Sequence, residues 1–175
     1  VLGGVIVGKK ELIKDIYLFC RSTGPALSPF NAWILSKSLE TLDVRIERHA
    51  SNALYIAEKL EHHPKLSWLK YPFLQSHPQH IIATKQMQNG GGIVCFELKG
   101  GLEAGRTFLN RLKMLSLTAN LGDTRSIASH PASTTHAKLT EEERLAVNIP
   151  PGLIRISVGL EHREDIVADI LQALS

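Results

Sequence analysis

The 175 residues are 43% hydrophobic and 21% charged, with mean hydropathy near zero. That fits one domain of ordinary size, or one domain plus a fragment of another, and excludes a disordered or fibrous chain. Twenty Lys+Arg against 17 Asp+Glu leave a net charge of only +3, and the basic residues are scattered rather than striped, so no nucleic-acid footprint is present. No apolar run approaches the ~18 residues of a membrane helix, and Val1 to Gly8 lacks the length and charged leader of a signal peptide. Cys20 and Cys95 sit in apolar contexts, as buried thiols of a reducing compartment do, which points to the cytoplasm.

In chain order, the β-branched run Val1-Leu2-Gly3-Gly4-Val5-Ile6-Val7-Gly8 has no polar face and predicts a strand buried on both sides. A buried strand with no initiator Met suggests a chain cut from a longer protein. Lys9 to Arg21 predicts a short helix, broken by Ser22-Thr23-Gly24-Pro25. Ser28-Pro29 supplies an N-cap and a first-turn proline, and helical spacing from Ile34 through Leu60 predicts one long helix running to His63-Pro64. A helix of that length commonly links domains, so a boundary is expected at its far end, with residues 1–63 on one side and 64–175 on the other.

Beyond Pro64 the elements shorten: a strand at Leu66 to Tyr71, a loop at Pro72 to Pro78, and a helix at His80 to Met87 ended by Asn89-Gly90-Gly91-Gly92. Ile93 to Leu98 predicts a strand, Gly101 to Leu112 a helix, and Met114 to Thr118 a strand. Thr140-Glu141-Glu142-Glu143 is a capping box opening a helix to Val147. Leu153 to Val158 alternates like a half-buried strand, and Glu161 to Leu174 is an amphipathic helix. Strands and helices therefore alternate in an α/β layer.

The eight histidines have no Cys-x-x-Cys or His-Glu-x-x-His partner pattern, which argues against zinc. Gly90 to Gly92 leads into a strand instead of a helix, so a turn is expected there and not a phosphate cradle. Ser126, Ser129, Ser133, Thr134 and Thr135 lie near His130 and His136 in sequence, but no Gly-x-Ser-x-Gly elbow accompanies them. Arg155 stands apart. Inside Leu153-Ile154-Arg155-Ile156-Ser157-Val158 its guanidinium would be costly to desolvate without an acceptor. A solvent-facing strand residue, an internal salt bridge and a ligand-gripping arginine all remain open on this ground alone.

Four linked motifs, Asn120-Leu121-Gly122-Asp123-Thr124-Arg125-Ser126, His130-Pro131-Ala132-Ser133-Thr134-Thr135-His136, Thr140-Glu141-Glu142-Glu143-Arg144 and Leu153 through Glu161, resemble in order and spacing the C-terminal domain of the pyridoxal-phosphate (PLP) enzymes of Cys/Met metabolism, the trans-sulfuration family. Ser28-Pro29-Phe30-Asn31, Leu39-Glu40-Thr41-Leu42 and Asn52-Ala53 extend the likeness through the long helix, and Val1-Leu2-Gly3-Gly4 looks like the strand shortly after the cofactor lysine. Lys37-Ser38 and Asn120 look most like the O-succinylhomoserine sulfhydrylases, with cystathionine γ-synthase, cystathionine γ-lyase and methionine γ-lyase as alternatives inside the family.

The resemblance implies the small, C-terminal domain of the aspartate-aminotransferase-like α/β fold, a mixed or antiparallel sheet flanked by helices and preceded by a long inter-domain helix. Residues 1–63 would be the end of the cofactor domain with the linking helix, and 64–175 the small domain. It further implies PLP as cofactor of the full-length enzyme, an amino-acid substrate, and homotetramers built as dimers of dimers. Family members use the PLP ring as an electron sink, so that γ-elimination of an acyl group and its replacement by sulfide make homocysteine. The matching substrate-binding residues are Arg155, which would grip the α-carboxylate, Asn120 and Leu121 beside it, and Thr135, which would orient the arginine. Asn120 stands where many members carry Ser, so an amide NH2 would donate in place of a hydroxyl. No lysine here matches the cofactor lysine, which implies that this chain alone binds no PLP covalently and is inactive. A non-catalytic α/β binding or assembly module is the alternative from outside the family.

Overall fold

The computed structural model describes residues 1–175, and the chain divides into two units, 1–43 and 44–175. In the first, α1 (Lys10–Thr23) ends on Gly24 in the left-handed region at φ 84°, whose N–H donates to Cys20 O. Gly is the residue that adopts this cap without a Cβ penalty. The second helix, α2 (Pro29–Leu39), starts as its sequence predicts, with Asn31 N–H donating to Ser28 Oγ at 3.2 Å. Neither helix buries a residue. The opening run corrects the expectation of a buried strand: Val1 to Gly8 forms no strand and its side chains are exposed, Val5 at 88%. A strand needs a ladder partner for its N–H and C=O groups, and none of the five strands of this chain pairs with it.

The expected single long helix is also corrected. Glu40 and Thr41 form a turn, and the helix resumes as α3 (Leu42–Leu60). Thr41 is β-branched and a weaker helix former than the residues around it. Within the second unit the face of α3 carrying Ala50, Ala53, Ile56, Ala57 and Leu60 is buried at the spacing of one helical stripe.

Five strands, β1 (Leu66–Lys70), β2 (Ile93–Leu98), β3 (Ser116–Leu117), β4 (Ile127–Ser129) and β5 (Leu153–Ser157), form one sheet in the order β1-β2-β5-β4-β3. All neighbours are antiparallel except β3 with β4, so the sheet is mixed. The helices α4 (His80–Gln86), α5 (Gly101–Arg111), α6 (Glu141–Ala146) and α7 (Arg163–Leu174) complete the unit, with α5 packed on α7, β2 and β5. Phe96 of β2 meets Phe108 of α5 edge to face at 5.7 Å, deep among Val94, Ile154, Ile156 and Ile170. Such aromatic pairs add about 0.5–1.5 kcal/mol to their area burial. The Thr140 capping box is formed as expected, Glu143 N–H donating to Thr140 Oγ1 and Thr140 N–H to Glu143 Oε2. None of the helices is long and apolar enough to cross a membrane.

Three sequence expectations shift here. The strand expected from Met114 begins only at Ser116, because the backbone N–H groups of Lys113, Met114 and Leu115 donate instead to the Asp169 carboxylate. Leu153 to Ser157 is not half-buried: only Arg155 escapes full burial, since β5 lies in the middle of the sheet. Cys20 and Cys95 are half-buried free thiols instead of fully buried ones.

His130 is fully buried. Pro151 O can only accept, at 2.7 Å, so Nε2 carries the proton and Nδ1 accepts from Ser133 Oγ at 2.8 Å. Burial lowers its pKa below the ordinary value against the opposing Pro151 carbonyl, with Arg106 and Arg144 adding to the lowering. The folded state thus prefers neutral His130, so its stability is fully present above the unfolded pKa of about 6.5 and is lost as pH falls through the lower folded value. Thermal melts between pH 7 and 5 should show a shallower loss of Tm on acidification in His130→Gln than in the parent, although the variant starts lower. Equal slopes would clear His130 of the effect.

Candidate functional site: a guanidinium on the central strand

Arg155 lies on β5 in register with Cys95 of β2 on one side and Ser129 of β4 on the other, and Cys95 is in turn opposite Lys70. Directly paired residues of an antiparallel ladder share a face, so Lys70, Cys95, Arg155 and Ser129 form a row across the sheet. The Cys95 thiol is pushed up by burial and drawn back by the charges of Arg155 and Lys70. The row therefore carries two cations and no carboxylate.

The use Arg155 makes of its donors is sparse. Nη2 donates to Ala119 O at 3.2 Å, while Nε is buried without an acceptor. No Asp or Glu lies in salt-bridge range of it. An internal ion pair is thus not what retains this arginine. A planar fork with free donors, facing a cationic row, suits a carboxylate or another planar anion.

Ala119 joins Arg155 to the loop between β3 and β4, and that loop carries Asn120 and Leu121, both exposed. The structure thereby brings the Ala119 carbonyl to the arginine, while Asn120 and Leu121 make no hydrogen bond to it. Thr135 is not brought to it: its hydroxyl is bonded to His136 Nδ1 at 2.8 Å, just past the 3-10 turn Pro131–Ser133. A cavity of about 400 Å³ opens beside Ala119, walled by Arg106 and Asn110 of α5, Thr118, Ser129 and Thr134.

The β3–β4 loop is tied down by residues of the linked motifs to which the sequence assigns no role. Gly122 N–H donates to Ser157 Oγ at 3.0 Å, and Leu160 N–H to Thr124 O at 2.8 Å. Ser126 N–H and Oγ–H donate to the two Glu161 oxygens at 2.7 and 2.8 Å, and Ser126 Oγ accepts Gly159 N–H at 2.8 Å. Asn52, buried on α3, donates to Gly159 O at 3.0 Å and Glu161 O at 2.9 Å. The Glu161 carbonyl is thereby held by Asn52, and the first backbone bonds of α7, from Asp165 and Ile166, run to His162 O, so the helix starts at Arg163 and not at Glu161. The available signal was a polar residue on an otherwise apolar stripe: Asn52 between Ala50 and Ala53, and Ser157 between Ile156 and Val158.

The model of the Cys/Met metabolism PLP-dependent enzymes matches residues 1–175. The chain belongs to this family. An L-methionine gamma-lyase of Fusobacterium nucleatum subsp. polymorphum is 47% identical over 99% of the chain and 45% of its own length. An O-succinylhomoserine sulfhydrylase of Pseudomonas aeruginosa is 44% identical over 99% of the chain and 43% of its own. A crystal structure from Campylobacter jejuni assigned as an O-acetylhomoserine (thiol)-lyase, carrying N'-pyridoxyl-lysine-5'-monophosphate, superposes with a TM-score of 0.84 at 41% identity, over 93% of the chain and 39% of that one. The chain spans less than half the length of each. Its mixed sheet with flanking helices is a domain of the α/β aminotransferase-like fold, and PLP is the cofactor of the family.

The residues of the Arg155 row do not fit the cofactor itself. Lys70, the lysine of that row, has its ammonium 4.7 Å above the Trp68 ring, and Lys65 and Lys99 donate to the Ser175 and Pro64 carbonyls. What the row offers is free cationic donors, which suit a planar anionic group.

Proposed function

We propose that this chain is the C-terminal part of an O-succinylhomoserine sulfhydrylase, which joins O-succinylhomoserine and sulfide into homocysteine and releases succinate, and that it supplies the site for the substrate α-carboxylate. The observation that carries the reading is the Arg155 fork, held on the central strand with one carbonyl partner and no carboxylate. Arg155 pairs with the carboxylate, and Asn120 and Leu121 edge the same site from the loop fastened to Arg155 through Ala119. Thr135, whose hydroxyl is bonded to His136 in this chain, orients the arginine only after a rearrangement of its loop in the complete enzyme. Residues 1–63 act as the end of the cofactor domain with its linking helix, and 64–175 as the small domain. The complete protein works in the cytoplasm as a homotetramer, with the cofactor lysine supplied by a part of the enzyme outside this chain.

A second reading, methionine γ-lyase, is favoured by the 47% identity to the Fusobacterium enzyme. The two are told apart by products. The complete enzyme given O-succinylhomoserine and sulfide should form homocysteine with kcat/KM at least about 10-fold above its cleavage of methionine to methanethiol, 2-oxobutyrate and ammonia. The reverse ratio would assign it as the γ-lyase. Neither product would leave the cystathionine enzymes of the family and the non-catalytic module as the remaining readings.

A further inference from the structure

Two residues of the family-like motifs have no part in the site proposed above, yet they are among the most completely bonded groups in the molecule. Ser126 is fully buried. Its hydroxyl accepts from Gly159 N–H and donates to Glu161, while its own N–H donates to the other Glu161 oxygen. Each hydrogen-bonding role of Ser126 is filled: its C=O accepts Ser116 N–H at 2.9 Å, which also fixes the start of β3. Gly159 admits no side chain, because a Cβ there would collide with Glu161 Oε2, Ser126 N and Arg125 C. The Glu161 carboxylate therefore fastens the front of β4 to the chain leaving β5.

The consequence reaches the arginine through the loop between Ser116 and Ser126. Both ends of that loop are set by Ser126, and its middle hangs on Ser157 through Gly122 N–H and on Leu160 through Thr124 O. Ala119 and Asn120 lie between these fixed points, and Ala119 O is the one acceptor of Arg155 Nη2. We infer that Glu161 is a positioning residue of the substrate-carboxylate site, setting through Ser126 the height of the Ala119–Leu121 backbone against the Arg155 fork. This rests on the reading of Arg155 as the carboxylate ligand. Asn52 supports it from behind, by holding Gly159 O and Glu161 O in place from α3.

Glu161→Gln separates this role from simple support of the fold. A Gln side chain can accept Ser126 N–H through Oε1, but its NH2 then faces a hydroxyl that already accepts from Gly159, and the Ser126 hydroxyl proton loses its acceptor. In the complete enzyme this should raise KM for the amino-acid substrate about 10-fold with kcat changed by less than about twofold, since misplacement of a positioning surface weakens alignment without touching the reacting atoms. The decisive measurement repeats Glu161→Gln in an Arg155→Ala background. There the effect on kcat/KM should vanish, because the contact through which Glu161 acts is gone. A penalty of the same size in both backgrounds would show a merely structural role and overturn the inference. So would an unchanged KM in Glu161→Gln when Arg155→Ala alone shows its large loss. An unaffected Arg155→Ala enzyme would instead remove the carboxylate reading itself, and this inference with it. Should Glu161→Gln not fold, Ser126→Ala keeps the Glu161 bond to the backbone N–H. The same cycle should then give about a threefold rise in KM that disappears without Arg155.

Discussion

Arg155→Ala in the complete enzyme should lower kcat/KM by roughly 10²–10⁴ while leaving the PLP absorbance and the assembly unchanged, because a charge-assisted bidentate pair in a partly dry pocket is worth several kcal/mol when one partner is removed. The structure makes the stability side of this specific. The side chain contributes one hydrogen bond, to Ala119 O, and leaves its Nε buried and unpaired. Deleting a single bond to a charged donor costs about 1.5–3 kcal/mol, and removing an unmet buried donor offsets part of that. Melting temperature should fall by only a few degrees while activity falls by orders of magnitude. Arg155→Lys should recover part of the loss, since a point charge attracts the carboxylate but lacks the fork that fixes its orientation. The test measures kinetics and melting on the same preparations. Near-normal kcat/KM in a folded Arg155→Ala enzyme would take Arg155 out of the site, and a collapse in stability with normal kinetics would make it a structural residue.

Where local pattern decides, the sequence is informative about this fold. The Ser28 cap, the Thr140 capping box, the stripe of α3 and the apolar runs of β2 and β5 each carry their own short-range signal, and each stands near where that signal puts it. What escapes is set by partners distant in the chain. β4 is three residues long, too short for any periodicity, and is a strand because β3 and β5 flank it. The opening Val1 to Gly8 shows the converse: strand propensity without a partner strand gives exposed, irregular chain. For the site, Arg155 is legible because a guanidinium in an apolar run has to be explained. Glu161 and Ser126 are not, because a Glu before a helix and a Ser in a polar loop are ordinary until folding places them 2.7 Å apart.

Asp169→Ala should destabilise the second unit by about 3–5 kcal/mol. Asp169 is a buried acid on α7 whose two oxygens take three successive backbone N–H groups, Lys113 at 2.9 Å, Met114 at 2.9 Å and Leu115 at 3.0 Å, with Gln172 Nε2 at 3.0 Å completing the shell. Burial alone would raise its pKa, but the N–H groups of Leu115, Lys113 and Met114, with Gln172, outweigh it and hold the carboxyl below the ordinary value. Alanine takes the acceptor from all three, and for the buried Leu115 N–H an unmet donor costs about 1–3 kcal/mol. Asparagine should restore only part, because one oxygen becomes an NH2 that points donors at donors. Since the folded pKa is depressed, the contribution is complete above the unfolded value of about 3.9 and fades as pH falls through the folded one, so denaturation below pH 4 should be less pH-dependent in Asp169→Asn than in the parent. Amide exchange gives the local readout: Lys113, Met114 and Leu115 should lose protection first in the alanine variant. Unchanged protection and an unchanged denaturant midpoint would mean that these bonds contribute nothing. A loosened turn should also reach the chemistry, because it feeds β3 directly into Ala119, the residue that holds Arg155. Asp169→Ala is accordingly expected to raise KM for the amino-acid substrate at temperatures where the enzyme is still folded.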